Sequence, residues 1–159
     1  MMKIEYRPIG IVHSPFTDIS GVPIQPSRAE GIKGDVTVFP EFAEGLSDLD
    51  GFSHVVLLCH LDRVRGVRLK VVPFRDTVKR GVFSTRAPCR PNPIGLSIVR
   101  LAAVKKNKLV IEGVDVLDGT PVLDIKPYIG AFNRCGRPMR YGWLDESRDA
   151  GSRSDDRFT

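Results

Sequence analysis

The sequence predicts an all-β protein that folds as a single barrel-like domain of short strands with few short helical pieces. Fifteen glycines and twelve prolines interrupt the 159 residues at short intervals, and such spacing suits many short strands better than helices. Several segments alternate apolar and polar residues with the period of two that a strand requires. The strand segments are not separated by long amphipathic helical patterns, which disfavours a doubly wound parallel sheet. A barrel-like arrangement is therefore favoured, with a sandwich as the alternative.

Each strand follows from a local pattern. Asp35 to Phe39 alternates, with Val36 and Val38 on one face. Ser53 to Leu61 is a continuous apolar run, typical of a strand buried on both faces. The polar stretch 105–108 has the length of a hairpin turn. The predicted strands are Ile9–His13, Asp35–Phe39, Ser53–Leu61, Val67–Val72, Gly81–Ser84, Gly95–Val104, Leu109–Val116 and Pro121–Ile125.

One helical piece and one terminal segment complete the predicted organisation. Phe42, Leu46 and Leu49 have i, i+4, i+7 spacing after Pro40, which indicates one short helix. Residues 1–143 are expected to form the domain. Residues 144–159 are polar and are expected to form a mobile tail.

The overall composition is ordinary for a soluble protein, with 42% hydrophobic and 27% charged residues. No apolar run approaches the roughly 20 residues that span a bilayer, and the first residues lack a signal-peptide core. A cytoplasmic protein is therefore expected. Cys59, Cys89 and Cys135 form no CxxC pair, and the three histidines are scattered, so no disulfide framework or metal site is expected.

The positive charge is concentrated in one stretch. From Arg63 to Arg100 there are ten Lys or Arg residues and one acid, Asp76, which leaves 14 basic and 18 acidic residues elsewhere. Clustered charge of one sign is typical of a surface that binds a polyanion such as nucleic acid. The alternative is a solvated face without a partner.

The segment Thr85 to Ser97, TRAPCRPNPIGLS, lies inside this stretch. Three prolines fix backbone angles and remove donors, so the segment is expected to be a stiff loop. A stiff loop that carries Arg86, Arg90 and Asn92 is a pre-organised array of hydrogen-bond donors. We interpret it as a ligand- or substrate-binding loop rather than part of the structural framework, the alternative being a rigid connector with solvated arginines.

A second unusual segment is Asp115 to Tyr128, DVLDGTPVLDIKPY. Asp118-Gly119 is a tight-turn signal, and Asp118 and Thr120 can cap their own backbone. A turn needs one aspartate, whereas this segment has three. The common nucleotide-binding and hydrolase motifs GxGxxG, GxxxxGK[ST] and GxSxG are absent from the sequence.

Five segments together resemble one known family. In chain order they read RPIGIVHSPF, GVPIQP, GFSHVVLL, GVFSTRAPCRPNPIGLSIVRL and DVLDGTPVLDIKPY. They are similar to the S-adenosylmethionine-dependent tRNA methyltransferases that act on threonylcarbamoyladenosine. The resemblance covers Tyr6 to Asn133.

This resemblance implies an all-β, barrel-like methyltransferase that binds S-adenosylmethionine. It also implies a homodimer with the site near the subunit interface, and a reaction that methylates N6 of threonylcarbamoyladenosine next to the anticodon of tRNA. By the same resemblance, the cofactor-binding residues are Gln25, Pro26, Asp62, Arg63, Arg86, Leu96, Asp118, Gly119, Thr120 and Pro121. The substrate-binding candidates are Arg90, Asn92, Lys126 and Tyr128.

No single residue is identified as catalytic. Asp118 or Asp62 would serve as the base that removes the N6 proton, or either would hold the ribose or ammonium group of the cofactor. Where many relatives have aromatic residues and His at the end of the buried strand, this chain departs from the family pattern with Cys59-His60-Leu61-Asp62.

Phosphate contacts are expected from Arg75, Lys79, Arg80 and Arg90. Some bacterial relatives continue into a second domain, and Arg134 to Trp143 would replace any tRNA contacts of that part. The rival interpretations are a non-catalytic module that senses S-adenosylmethionine or binds RNA, and a methyltransferase for a small molecule or a protein.

Overall fold

A computed structural model describes residues 2–20, 22, 29–132, 136 and 138–146 of the chain. Eight strands lie within these residues: β1 Gly10–His13, β2 Lys33–Val38, β3 His54–His60, β4 Lys70–Val71, β5 Arg80–Gly81, β6 Ile94–Lys105, β7 Lys108–Glu112 and β8 Pro121–Pro127. Four 3-10 helices accompany them: Pro40–Leu46, Leu49–Gly51, Val82–Ser84 and Gly142–Glu146.

Six of the strands close into a barrel in the order β1-β2-β7-β6-β3-β8, and β8 returns to pair with β1. Every neighbouring pair is antiparallel. The predicted all-β, barrel-like fold is confirmed. Closure pairs the backbone groups that an open sheet would leave exposed at its edges.

Period-two alternation fills the barrel interior. On β6, Ser97, Val99 and Leu101 point inward, and on β3 the inward side chains are Val55, Leu57 and Cys59. Valine and leucine dominate this core, because branched side chains pack well on a pleated surface. The stretch predicted as one short helix forms two 3-10 helices, Pro40–Leu46 and Leu49–Gly51, which add Leu46 and Leu49 to the core, and Phe42 packs against it.

Three sequence predictions need correction. The strand predicted to be buried on both faces is buried on one: Val56 and Leu58 are half-buried on the outer wall of β3. The strand predicted over Leu109–Val116 ends at Glu112, because Gly113 at φ 86° leaves extended geometry. The strand predicted over Gly81–Ser84 is the end of β5 followed by a 3-10 turn.

The 33 residues between β3 and β6 leave the barrel and return to it. β3 and β6 are neighbours in register, with His60 opposite Ile94, and the Leu61 N–H donates to the Pro93 carbonyl at 2.8 Å. Residues 61–93, which we call the excursion, form the β4–β5 ribbon and a small apolar core separate from the barrel core. This second core contains Val71, Val82, Ala87 and Cys89, with Val64 and Phe74 packed against it.

The boundary predicted after residue 143 falls within the 3-10 helix Gly142–Glu146. The rest of the predicted tail, 147–159, lies outside the described residues. No helix within the described part of the chain is long and apolar enough to cross a membrane.

The pairing of β1 with β2 depends on a glycine, Gly10, at the start of β1. A Cβ atom at Gly10 would lie 2.5 Å from the Thr37 carbonyl oxygen, whereas one at Gly45 would meet no atom within 4 Å. We predict that Gly10→Ala lowers the free energy of unfolding by about 1–3 kcal/mol, because backbone must move to admit the methyl group. Gly45→Ala should leave stability unchanged or raise it by less than about 1 kcal/mol. Chemical denaturation compares the two, and equal effects would contradict this account.

Candidate active site

One rim of the barrel collects most of the residues predicted from the sequence. β3 ends there, β6 and β8 begin there, and β1 ends beside them, because His60 pairs with Ile94, Cys59 with Val122 and Ile11 with Pro121. Segments that follow or precede these strand ends therefore meet at this rim. They are 14–17, 61–63, 85–93 and 115–121.

A tight turn at the rim begins β8. Gly119 has φ 81°, a conformation that favours glycine. The N–H and the hydroxyl of Thr120 both donate to the Leu117 carbonyl, at 3.2 and 2.7 Å. The Asp118 carboxylate accepts from the Ser14 N–H at 3.2 Å and lies 3.5 Å from Nδ1 of His13. The turn is thereby fastened to the end of β1.

Arg63 joins this turn from the other side. Its guanidinium donates to the Asp118 carbonyl at 2.7 Å and to the Thr17 carbonyl at 3.3 Å. The structure therefore brings Arg63 and the Asp118–Pro121 turn together, although their positions in the sequence are 55 residues apart. Asp62 is exposed beside them.

A half-buried carboxylate, Asp115, lies where the rim opens into the barrel. The Ser97 hydroxyl donates to it at 2.6 Å. Burial raises the pKa of Asp115 to about 6, while the Ser97 hydrogen bond and the nearby positive charge of Arg86 oppose this rise. Burial and then the Asp115 charge raise the pKa of the Cys59 thiol to about 12. Arg86 therefore lies near the Asp115 carboxylate. The Cys59 thiol stays protonated at neutral pH.

Leu96 lies on the outer wall, next to this group. It is 49% exposed, between Ile94 and Ile98, which are 42% and 37% exposed. Leu96 pairs with Leu58 on β3 and Ile98 with Val56. The outer faces of β6 and β3 thus form an apolar strip beside the rim.

Thr85 to Ser97 is a loop only in part, because β6 begins at Ile94. The last four residues of the predicted loop belong to the barrel framework, which corrects the prediction there. Within the loop proper, Arg90 donates from Nη1 to the carbonyls of Thr85, Ala87 and Val82 at 2.9, 3.2 and 3.4 Å. Arg90 thus holds its own loop in shape, and Asn92 is exposed.

Lys126 and Tyr128 lie at the opposite end of β8 from this rim. Tyr128 contacts His54 edge to face, and Lys126 pairs with Asp124 at 2.7 Å and lies opposite Val56. A seven-residue strand is about 20 Å long, so one copy of the chain does not bring these two residues to the rim.

Gln25, Pro26 and Arg134 lie outside the described residues. Within the segment proposed for tRNA contacts, Trp143 donates from its indole N–H to the Ser84 carbonyl at 2.8 Å, and the Arg80 guanidinium lies 5.7 Å from its ring centroid. Trp143 therefore contacts the excursion. The described residues contain no cluster of His, Cys, Asp or Glu able to hold a metal ion.

Asp115 and Ser97 were not predicted from the sequence as site residues. A signal was present, since the segment has more aspartates than its turn requires. Ser97 carried no signal, because only the register of β6 shows that this hydroxyl points inward.

Comparison with known proteins places this barrel in a defined class. The family model described as the tRNA-methyltransferase O N-terminal domain matches residues 11–134. The crystal structure of TrmO from Pseudomonas aeruginosa superposes with a TM-score of 0.74 at 37% identity, over 89% of this chain and 62% of that one.

Two relatives extend the comparison. A protein of Pyrococcus abyssi named "Probable S-adenosyl-L-methionine-binding protein" is 52% identical over 99% of this chain and 86% of its own length. The mouse protein named tRNA (adenine(37)-N6)-methyltransferase is 41% identical over 80% of this chain and 31% of its own length. The chain belongs to the tRNA-methyltransferase O N-terminal domain family, and the resemblance stated from the sequence motifs is confirmed.

The raised pKa of Asp115 has a measurable consequence for stability. Its carboxyl holds a proton more tightly in the folded chain, at a pKa of about 6, than in the unfolded chain, at 3.8. Its contribution to stability is therefore greatest below pH 3.8 and is lost as the pH rises through 6.

We predict that Asp115→Asn stabilises the protein at pH 7–8, by up to about 3 kcal/mol, because it removes the charge while the amide oxygen still accepts from Ser97. The gain should shrink to near zero at about pH 4. Denaturation at several pH values tests this, with the exposed Asp50→Asn as a control for the loss of one surface carboxylate. A gain of the same size at every pH would contradict the assignment.

Proposed function

We propose that this protein is an S-adenosylmethionine-dependent methyltransferase that methylates N6 of threonylcarbamoyladenosine next to the anticodon of tRNA, and that it acts in the cytoplasm. The observation that carries the proposal is the barrel rim, where Arg63 binds the Asp118 carbonyl of the Asp118–Pro121 turn and Arg86 lies near the Asp115 carboxylate. Family membership supports methyl transfer to tRNA. The threonylcarbamoyl group as the target rests on the sequence motifs.

The donor set at the rim fits S-adenosylmethionine. A guanidinium such as Arg86 suits the cofactor carboxylate, and the carboxylates of Asp62 and Asp115 suit its ammonium or its positive sulfur. The turn at Asp118–Pro121 offers backbone groups beside Arg63, and the exposed side chain of Leu96 offers an apolar surface for a flat base.

When bound, S-adenosylmethionine supplies a methyl group that is already activated by the positive sulfur. The chain must therefore align the nucleophile behind that carbon and keep water out. The fastening of the turn to β1 and Arg63 prevents the rim from shifting, and this rigidity contributes to alignment.

The nucleophile is a urea-type nitrogen whose proton must be lost as the new N–C bond forms, so a carboxylate base accelerates the step. Asp62 and Asp118 remain the candidates. Asp118 Oδ1 already accepts a hydrogen bond from Ser14, whereas Asp62 is exposed at the rim.

A second copy of the chain would bring Lys126 and Tyr128 to the site. We propose a homodimer that packs through the apolar strip of Ile94, Leu96 and Ile98. A two-fold axis across this strip would set the β8 end of one copy against the rim of the other. Each site would then combine the rim of one subunit with Lys126 and Tyr128 of its partner.

The reaction is tested with methyl-labelled S-adenosylmethionine and matched tRNAs that carry or lack the threonylcarbamoyl group. We expect label only on the tRNA that carries it. Label on neither tRNA, with folded protein that binds the cofactor in calorimetry, would instead indicate a non-catalytic sensor. Equal label on both would refute the proposed substrate.

The shared site is tested by mixing two inactive variants, Arg86→Ala and Lys126→Ala. Random exchange of subunits in a dimer should restore about one quarter of wild-type activity, because half of the dimers are mixed and each has one intact site. Sedimentation measures the dimer independently, and Ile98→Asp should disrupt it. If the mixture stays inactive although the variants exchange subunits, the shared site is wrong.

A further inference from the structure

The excursion has the strongest concentration of positive charge in the chain. Residues 61–93 contain nine Lys or Arg and two Asp, whereas the remainder of the sequence contains 15 basic and 17 acidic residues. The excursion is also a folded unit, because Val71, Val82, Ala87 and Cys89 are buried together within it. The charge is therefore carried by a structured part of the chain beside the barrel.

Several of these cations already have partners within the protein. Arg63 binds the carbonyl of Asp118, Arg90 binds the carbonyls of its own loop, and Arg80 donates to the Asp76 carboxylate at 2.6 Å. Arg80 also lies over the ring of Trp143. These side chains shape the excursion, and Arg80 and Arg90, which the sequence suggested as phosphate ligands, have structural contacts instead.

Three basic residues line an open depression on the β4–β5 ribbon. Arg68, Lys70 and Lys79 border it together with Val71, Val72, Asp76 and Thr77, and it encloses about 690 Å³. All three basic side chains belong to exposed residues. A depression of this size admits a phosphate with its sugar.

The only acid among these lining residues is held by other groups. The Asp76 carboxylate accepts from Arg80 and from the N–H groups of Thr77 and Val78, at 2.7 and 3.1 Å. The Arg80 hydrogen bond holds the pKa of Asp76 below its ordinary value. Because its charge is paired, Asp76 offers little repulsion to an incoming anion.

An exposed aromatic ring favours RNA over an acidic protein. Phe83 is 75% exposed on the same excursion, and the Arg90 guanidinium lies 5.9 Å from its centroid. Aromatic rings beside arginine stack on the unpaired bases of single-stranded RNA, while lysines contact phosphates as point charges.

The excursion also leads directly to the rim. The Val82 N–H donates to the Leu69 carbonyl at 2.9 Å, which joins the ribbon to the 3-10 helix Val82–Ser84. That helix continues into Thr85 and Arg86. The chain therefore passes from Arg80, at the end of the ribbon, to Arg86 at the rim with only residues 81–85 between them.

We propose that the depression formed by Arg68, Lys70 and Lys79 binds the sugar–phosphate backbone of the tRNA substrate. This inference rests on the proposed function, since it assigns the surface that holds the substrate of that same site. The excursion then serves as the RNA-binding arm of a barrel whose rim performs the chemistry.

The experiment compares two double variants that each remove two positive charges. Lys70→Ala/Lys79→Ala alters the depression. Lys105→Ala/Lys106→Asn alters the β6–β7 turn at the far end of β6, and Asn tolerates the φ of 55° at position 106. Binding of fluorescent tRNA is measured by anisotropy from 50 to 300 mM salt, and cofactor binding is measured by calorimetry.

We expect the depression variant to bind tRNA roughly tenfold or more weakly near physiological salt, with the slope of log K against log salt reduced by about one to two. The turn variant should match the wild type, and both should bind the cofactor normally. Equal losses in the two variants, or unchanged tRNA affinity in the depression variant, would overturn the proposal. Failure of the proposed function is separate: tRNA would bind through the depression, but no methyl group would be transferred.

Discussion

Seven consecutive residue pairs hold β3 against β6, from His54–Arg100 to His60–Ile94. These pairs complete the barrel wall, and they also close a loop of 33 residues. The entropy lost on closing a loop grows only slowly with its length, so a long insertion at this position costs little. The insertion can then form its own small core around Val71 and Val82. The barrel, the rim and the basic surface all depend on this one strand pairing.

The fold could be predicted from the sequence because local patterns determined it. Alternation along Asp35–Phe39 and the polar hairpin turn at 105–108 both depend only on near neighbours, and both appear in the structure. The outer face of β3 was predicted wrongly because a continuous apolar run does not reveal what covers it. Here the outer wall forms an apolar strip with Ile94, Leu96 and Ile98, which a local pattern cannot show.

The site could be predicted only in part. Motif resemblance identified the turn at Asp118, but the proximity of Arg63 to that turn is a property of strand order. Likewise, the number of positive charges in the sequence does not distinguish basic residues that border an open surface from basic residues that make structural contacts. Arg90 and Lys79 look equivalent in a charge count, yet Arg90 bonds to three carbonyls, while Lys79 borders an open depression. Which basic side chains have partners within the protein depends on its tertiary structure.

The separate core of the excursion has a further consequence for motion. The excursion buries an apolar cluster of its own, and Arg63 attaches it to the barrel rim through the Asp118 and Thr17 carbonyls. Cooperative units with little shared burial open independently, and the smaller unit opens at a lower free energy. Amide protons on the β4–β5 ribbon should therefore exchange with solvent sooner than those of β3 and β7. The ribbon can thus change shape while the barrel strands stay paired.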